Sequence, residues 1–151
     1  MSGSWPPQDL PNLDPNNHVV TSPFSLRYNC IGWAAGSTAQ WWWPVGRYYW
    51  PLNVPREETV EAFIRAYGTI GYIECEDASL EPSFEKIAIY AVQETGCTLT
   101  PTHAAKQLPD GRWTSKLGPC EDIEHATLKN VNCKTYGEAV AYLKRPLLRA
   151  N

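Results

Sequence analysis

Two residues of this chain, a cysteine and a histidine, have the types and contexts that thiol chemistry requires. Cys30 follows Asn29, a good N-cap residue, at a point where a helix is predicted to begin. His103 comes much later, at the start of a predicted strand. A thiol at the start of a helix is easily ionised, and an imidazole is the base that it needs. The pair therefore predicts a cysteine nucleophile with a histidine base.

The same segments supply candidates for the supporting roles of such a site. The backbone N–H of Cys30, with the Tyr28 hydroxyl or the Asn29 amide, is expected to meet a tetrahedral oxyanion. The side chain that orients His103 remains open among three residues, which are Ser115, Asp122 and His125. Four tryptophans are candidates for the lining of a substrate cleft: Trp33, Trp42, Trp43 and Trp113.

Each of the two reactive residues also has a purely structural interpretation. A free cysteine is commonly a small buried hydrophobic residue, which would explain Cys30 without any chemistry. His103 could equally be a strand histidine that bonds to a neighbouring backbone group. Lys116 and Arg112 are interpreted as surface charges of a hairpin, with contact to an acidic substrate group as the alternative.

The elements that must position these residues follow from periodicity and from turn residues. They are a helix from Cys30, a helix at about 57–67, strands at 72–75 and 86–92, a hairpin of 103–108 and 112–117, and a helix at about 136–144. The second helix has an apolar stripe at i, i+3, i+4 and i+7, and Asp110-Gly111 predicts the hairpin turn. Thr135 and Glu138 have the spacing of a capping box for the last helix. This order predicts an α+β fold.

Length and composition indicate one globular domain over residues 1–151, with 1–27 as an extended arm rich in Pro and Asn and without regular structure. The net charge of −3 gives no basic footprint for nucleic acid. No apolar run is long enough to span a membrane, and no signal peptide is recognisable. The five cysteines are therefore expected to be reduced thiols in the cytoplasm, although export of an effector without a cleaved signal stays open. No metal-ligand spacing is present, and neither a metal nor a cofactor is predicted.

Aromatic residues are concentrated in one short part of the chain. Trp41-Trp42-Trp43-Pro44 and Tyr48-Tyr49-Trp50-Pro51 lie close together in sequence. Most of these rings are expected to pack in the core, since aromatic side chains dominate burial energetics. One or two are expected to line the site.

The quoted segments resemble the papain-like cysteine peptidase and amidase superfamily, and within it the NlpC/P60 and CHAP group. Those proteins place a cysteine at the head of a helix, as in Asn29-Cys30-Ile31-Gly32-Trp33, and a histidine early on a later strand, as in Thr102-His103-Ala104. The resemblance implies a papain-like core in which the helix that carries the cysteine packs on an antiparallel sheet. The chain also resembles an uncharacterised bacterial domain family with Tyr-Asn-Cys, Trp-Trp-Trp-Pro, Thr-His-Ala-Ala and Ser-Lys-Leu-Gly blocks.

Three functions remain open from the sequence. The first is a thiol hydrolase or acyltransferase that acts on a peptide, amide or related acyl bond through a Cys30–His103 dyad. The second is a non-catalytic module that binds a carbohydrate or a protein with its aromatic residues. The third is a component of a bacterial effector or immunity system. Neither the substrate nor the oligomeric state can be predicted.

Overall fold

The protein is built on one seven-stranded antiparallel sheet. A computed structural model describes residues 10–22, 25–94, 96, 98–117 and 121–147. The strands of this part are β1 (His18–Ser22), β2 (Ile73–Cys75), β3 (Phe84–Gln93), β4 (Leu99–Gln107), β5 (Trp113–Lys116), β6 (Asp122–His125) and β7 (Glu138–Pro146). Their order across the sheet is β1-β6-β5-β4-β3-β7-β2, and every neighbouring pair is antiparallel. The domain is therefore of the α+β type.

Two helices cover one face of the sheet, which we call the helix face. They are α1 (Cys30–Ala34), which contacts β4 and β5, and α2 (Val60–Gly68), which contacts β2, β3 and β4. The opposite face, which we call the far face, packs against a 3₁₀ helix at Leu128–Val131 and against parts of the chain near residues 10–13 and 133–136. The sheet is thus buried on both sides.

The central strand β3 shows how the two faces divide the core. Ile87 and Ile89 pack with the helices, whereas Ala88 and Tyr90 pack in the second cluster. Successive strand residues point to opposite faces of a sheet, so this run is apolar on both sides instead of alternating with polar residues. All four side chains are fully buried.

Several predicted elements are confirmed. A helix begins at Cys30, and α2 carries the predicted stripe, with Phe63 and Tyr67 fully buried. It begins later than predicted, because the Thr59 hydroxyl caps it by accepting from the Ala62 N–H. The hairpin of β4 and β5 forms around Gly111, whose φ of 93° suits the turn.

The predicted helix at 136–144 is wrong, because this segment forms strand β7 between β3 and β2. Ala141 and Leu143 point to the helix face while Tyr142 points to the far face, so the burial has a period of two. Gly137 has a φ of 74°, and a Cβ there would lie 1.9 Å from the Ala91 carbonyl oxygen. The chain therefore enters β7 across the backbone of β3, and the predicted capping box does not form.

The expectation of an irregular N-terminal arm is wrong for residues 18–22, which form the edge strand β1 beside β6. Strand β6 was not predicted from the sequence either. Of the five cysteines, Cys97 and Cys120 lie outside the described residues, and Cys30, Cys75 and Cys133 are free thiols. In the described ranges, no helix has the length and apolar character needed to cross a membrane.

Candidate functional site

The position of Cys30 is fixed by the residue before it. Asn29 caps α1, and its Oδ1 accepts from the Gly32 N–H at 3.0 Å and from the Trp42 N–H at 3.0 Å. Its Nδ2 donates to the Trp42 carbonyl at 2.8 Å. A Cβ at Gly32 would lie 2.5 Å from the Gln40 carbonyl oxygen, so only glycine permits this close approach. The Asn29 amide thus joins α1 to the aromatic segment, and these bonds do not direct it towards an oxyanion.

The thiol of Cys30 lies within the core of the helix face. Its exposed fraction is 6%, and Sγ makes a long hydrogen bond of 3.9 Å to the Thr102 carbonyl. Burial raises the pKa of the thiol to about 11, although backbone hydrogen bonds and the positive charge of Lys116 oppose this shift. Cys30 is therefore a neutral thiol at neutral pH.

Four polar residues lie on the same face of the sheet as Cys30. The Tyr28 hydroxyl donates to Asp122 Oδ2 at 2.6 Å, and Ser22 bonds to the same oxygen. The ammonium group of Lys116 lies 4.7 Å from the centroid of the Tyr28 ring, in a cation–π contact. Asp122 Oδ1 is buried and has no hydrogen-bond partner in the described part of the chain. The Tyr28 proton is used by Asp122, so it is not directed at Cys30.

Lys116 is fully buried, which corrects the interpretation of this residue as a surface charge. It alternates with Ser115 on β5, and its neighbour on the same face, Thr114, accepts a hydrogen bond from Trp33 Nε1 at 3.1 Å. Because α1 packs on this part of β5, Lys116 is covered by the helix layer. Period-two alternation along β5 was the sequence signal that could have placed it there.

His103 lies on the far face, away from Cys30. Its ring stacks on Tyr136 with centroids 4.2 Å apart and meets the Tyr90 ring edge-on at 5.1 Å. Both tyrosines belong to the far-face core. The next residue of β4, Ala104, packs in the helix-face core together with Cys30. Consecutive strand residues point to opposite faces, so the sheet separates the imidazole from the thiol.

Two of the candidate orienting residues do lie close to His103. Its Nε2 is 3.0 Å from Ser115 Oγ, which is 2.8 Å from His125 Nε2, and His125 Nδ1 is 2.8 Å from the Thr127 carbonyl. A carbonyl can only accept, so His125 Nδ1 carries a proton, and Nε2 then accepts from Ser115. Ser115 in turn accepts from His103 Nε2. His103 Nδ1 is the unprotonated end of this chain and has no partner among the described residues.

Burial keeps both imidazoles neutral. Desolvation lowers the pKa of His103 to about 3 and that of His125 to about 4, and the hydrogen bond of His125 to the Thr127 carbonyl opposes the second shift only in part. Neither His103 nor His125 is therefore an imidazolium near neutral pH that could promote ionisation of a thiol.

The structure thus divides the predicted site residues into two groups. Cys30, Tyr28, Asn29 and Asp122 lie on the helix face, and His103, Ser115 and His125 lie on the far face. The Cys30–His103 dyad does not fit this geometry. Within the described residues, no three His, Cys, Asp or Glu side chains come together as a metal-binding group.

The four candidate lining tryptophans are likewise distributed over the molecule. Trp33 stacks on Tyr28 at 5.4 Å and lies on the helix face. Trp42 is buried against Tyr67, and Trp43 donates from Nε1 to Glu58 at 2.8 Å. The fourth, Trp113, belongs to the far-face core.

A third region, which we call the aromatic loop, comprises residues 40–55 and covers one side of α2. Its buried rings anchor it, since Trp43 and Trp50 both meet the Phe63 ring edge-on, at 5.4 and 5.1 Å. Backbone bonds of 3.0 Å join Trp43 N–H to the Tyr49 carbonyl and Tyr49 N–H to the Trp41 carbonyl. The loop is therefore joined to α2 by its buried rings and to itself by backbone hydrogen bonds.

The outer surface of the aromatic loop is apolar. Tyr48 is 47% exposed and stacks on Trp41 at 5.5 Å, and Leu52 is 87% exposed. Val45 and Tyr49 are also exposed. These residues form what we call the apolar patch. They remain exposed although Trp43 and Trp50 of the same loop are packed against the core.

In the comparison with known families, one family model covers nearly all of this domain. A family model described as "Domain of unknown function (DUF7689)" matches residues 19–144. The chain belongs to the DUF7689 family. The matched DUF7689 region extends from β1 to β7 and contains both groups of polar residues and the aromatic loop. Searches of curated proteins and of solved structures find no match.

Proposed function

We propose that this protein is a binding module whose aromatic loop docks onto a partner protein. One observation carries the proposal. Large apolar side chains of the loop, such as Tyr48 and Leu52, remain exposed. The loop itself is anchored to the core, because its buried Trp50 packs on Phe63. Several large exposed apolar side chains on one short loop are typical of an interaction site. A surface that is already ordered loses little conformational entropy on binding.

The composition of the patch favours a protein over a carbohydrate. Tyr, Trp and Arg are the residues enriched in binding hot spots, and the patch combines Trp41 and Tyr48 with the exposed Arg47. Val45 and Leu52 of the same loop are exposed aliphatic side chains that offer nothing to the hydroxyl groups of a sugar. Arg47 forms no ion pair within the described ranges, so it is available for a carboxylate. The expected partner therefore presents apolar side chains beside an acidic residue.

The test begins with a photo-crosslinking residue at position 49, used in the cells that contain the protein. The captured partner is purified, and its affinity for the isolated chain is measured by calorimetry. We expect the double substitution Tyr48→Ser and Leu52→Ser to weaken binding by about 100-fold, since removing hot-spot residues costs about 2 kcal/mol or more.

Ile73→Ser is the matched control, because Ile73 is an exposed apolar residue on the edge strand β2. It should leave the affinity unchanged. Equal affinities for the loop variant and the wild-type chain would overturn the proposal. So would binding of purified glycans that quenches tryptophan fluorescence and is abolished by the loop substitutions, without any protein partner.

The second candidate is a thiol hydrolase or acyltransferase on a papain-like core, and one observation favours it. Cys30 is the first residue of a helix packed on an antiparallel sheet, with the buried cation of Lys116 on the same face. In this proposal Lys116 stabilises the thiolate, which attacks an acyl carbon and expels the amine or alcohol of the substrate with a proton. Water then attacks the thioester, which releases the acyl group as a carboxylic acid and restores the thiol. The buried neutral thiol argues against this candidate.

The test for the second candidate uses p-nitrophenyl acetate as an acyl donor. Acetylation of Cys30, followed by intact mass and peptide mapping, should exceed that of Cys75 and Cys133 and should fall in Lys116→Met. Acetylation of Cys30 that is no faster than that of Cys75 would remove this candidate. Cys30→Ser provides the control for reaction at other residues.

A further inference from the structure

The far face carries a cavity of about 530 Å³ that none of the functions above uses. Apolar side chains of Trp113, Leu128, Ala139 and Tyr142 line much of it. Its volume lies in the range of pockets that hold small ligands, about 300–1,000 Å³. An aromatic and aliphatic lining of this kind suits the hydrophobic body of a small molecule.

Two opposite charges stand at this cavity. Lys129 comes from the 3₁₀ helix, and Glu138 comes from the start of β7. Neither side chain makes an ion pair or a hydrogen bond in the described part of the chain. A ligand that carries both a carboxylate and an ammonium group is therefore complementary in charge to Lys129 and Glu138.

The wall that carries Lys129 is held by side chains from three other parts of the fold. The Thr127 carbonyl bonds to His125 Nδ1 at 2.8 Å, the Leu128 carbonyl accepts from the Tyr90 hydroxyl, and the Lys129 carbonyl accepts from Asn12 Nδ2 at 2.9 Å. Three successive carbonyl groups are thus fixed, which limits the entropy lost when a ligand binds.

Another part of the lining is fixed in a similar way. Gln107 Nε2 donates to the Ala78 carbonyl at 2.9 Å, and Ala78 lines the cavity. Gln107 itself is buried on β4, directly across from Trp113 on β5. Polar side chains of the far face therefore hold two parts of the cavity lining, residues 127–129 and Ala78.

We propose that this cavity binds a small zwitterionic molecule of the size of a dipeptide. Its carboxylate pairs with Lys129, its ammonium group pairs with Glu138, and its apolar body lies against Trp113 and Tyr142. The proposal is independent of the aromatic loop, which packs on the helix face.

The experiment is calorimetry with a panel of dipeptides that have an alanine first residue and a phenylalanine, leucine or serine second residue. The member that binds best is then compared with its N-acetyl and its C-terminal amide derivatives. We expect each cap to weaken binding by about tenfold, since one ion pair is lost in each case. Chemical shift changes in the NMR spectrum should fall on residues that line the cavity.

The variants assign each charge to its partner. Lys129→Gln should weaken binding of the free dipeptide about tenfold but should not weaken binding of the C-terminal amide further. Glu138→Gln should likewise weaken binding of the free dipeptide about tenfold but should not weaken binding of the N-acetyl form further. Lys134→Gln and Glu57→Gln, at exposed positions that do not line the cavity, should change nothing. No binding by the whole panel at about 10 mM would overturn the proposal, as would capped forms that bind as well as the free dipeptide.

Discussion

The two faces of the sheet contain similar polar side chains but use them differently. On the helix face, Cys30 is isolated in an apolar core, and Tyr28 and Lys116 lie beside Asp122. On the far face, Ser115 links two histidines into a continuous chain of hydrogen bonds that ends on a backbone carbonyl. The sheet therefore separates residue types that would have to meet in a Cys–His dyad. The exposed surface to which we assign a binding role lies elsewhere, on the aromatic loop.

Acidification should have the largest effect on stability, and that effect should come from the two buried histidines of the far face. The folded-state pKa values of His103 and His125 are lowered to about 3 and about 4, below the unfolded value of about 6.5. The unfolded chain therefore binds more protons as pH falls below 6.5, and stability is lost in that direction. With two such groups the slope approaches about 2.7 kcal/mol per pH unit. Urea unfolding between pH 7.5 and 5.5 measures it, above the range in which carboxylates titrate.

His103→Gln tests the source of this slope, because glutamine can still donate to Ser115. The slope should fall by about half, since one of the two proton-binding groups is removed. An unchanged slope in this variant, or a flat profile in the wild-type chain, would contradict the assignment.

Gly32→Ala, on the helix face, should lower the free energy of unfolding by about 3 kcal/mol, since overpacking costs about 1–3 kcal/mol or more. The new Cβ would lie 2.5 Å from the Gln40 carbonyl, which cannot rotate away as a side chain could. Chemical denaturation measures the loss. Gly36→Ala is not a suitable control because of its φ of 91°, but Gly68→Ala adds a Cβ in open space at the end of α2 and should cost little. Equal effects at both glycines would argue against the close approach.

Ser115→Ala should destabilise the far face by about 2 kcal/mol, because it leaves two buried imidazole nitrogens without their shared partner. Thr38→Ala, at an exposed position, should stay within about 0.5 kcal/mol of the wild-type stability. A Ser115 variant as stable as the Thr38 variant would show that the chain of hydrogen bonds contributes nothing.

Tyr28→Phe should cost about 1 kcal/mol, the smallest of these effects. It removes one donor from Asp122 Oδ2 but leaves the bond from Ser22 and the ring contact with Lys116. Thermal unfolding at neutral pH detects the change, and Tyr48→Phe on the exposed loop is the matched control. A loss above about 3 kcal/mol would mean that Asp122 depends on Tyr28 alone.

Local patterns in the sequence were sufficient for much of the fold. Asn29 as N-cap, the stripe of α2 and the Asp110-Gly111 turn depend on neighbouring residues only, and all of them appear in the structure. Strand β7 was missed because its alanines and leucine fit both a helical and an extended period. Pairing with β3 and β2, which is a tertiary effect, decides between the two.

The predicted dyad does not form because consecutive side chains of β4 point to opposite faces of the sheet. The sequence places a histidine on β4 correctly, but it does not say which face of β4 the helix α1 covers. A shift of one residue, from His103 to Ala104, decides whether the side chain meets the thiol. The proximity of Ser115 and His125 could be anticipated only once β5 and β6 were known to be neighbours.

The separation of Cys30 from His103 is tested most directly by the pH dependence of iodoacetamide alkylation at Cys30. Peptide mass spectrometry follows the reaction in the wild-type chain and in His103→Gln. With the thiol pKa raised to about 11, we expect a reaction at neutral pH about 100-fold slower than that of an ordinary thiol. The two profiles should coincide. A midpoint below about pH 8 in the wild-type chain that moves upward in His103→Gln would show that the two side chains share one site.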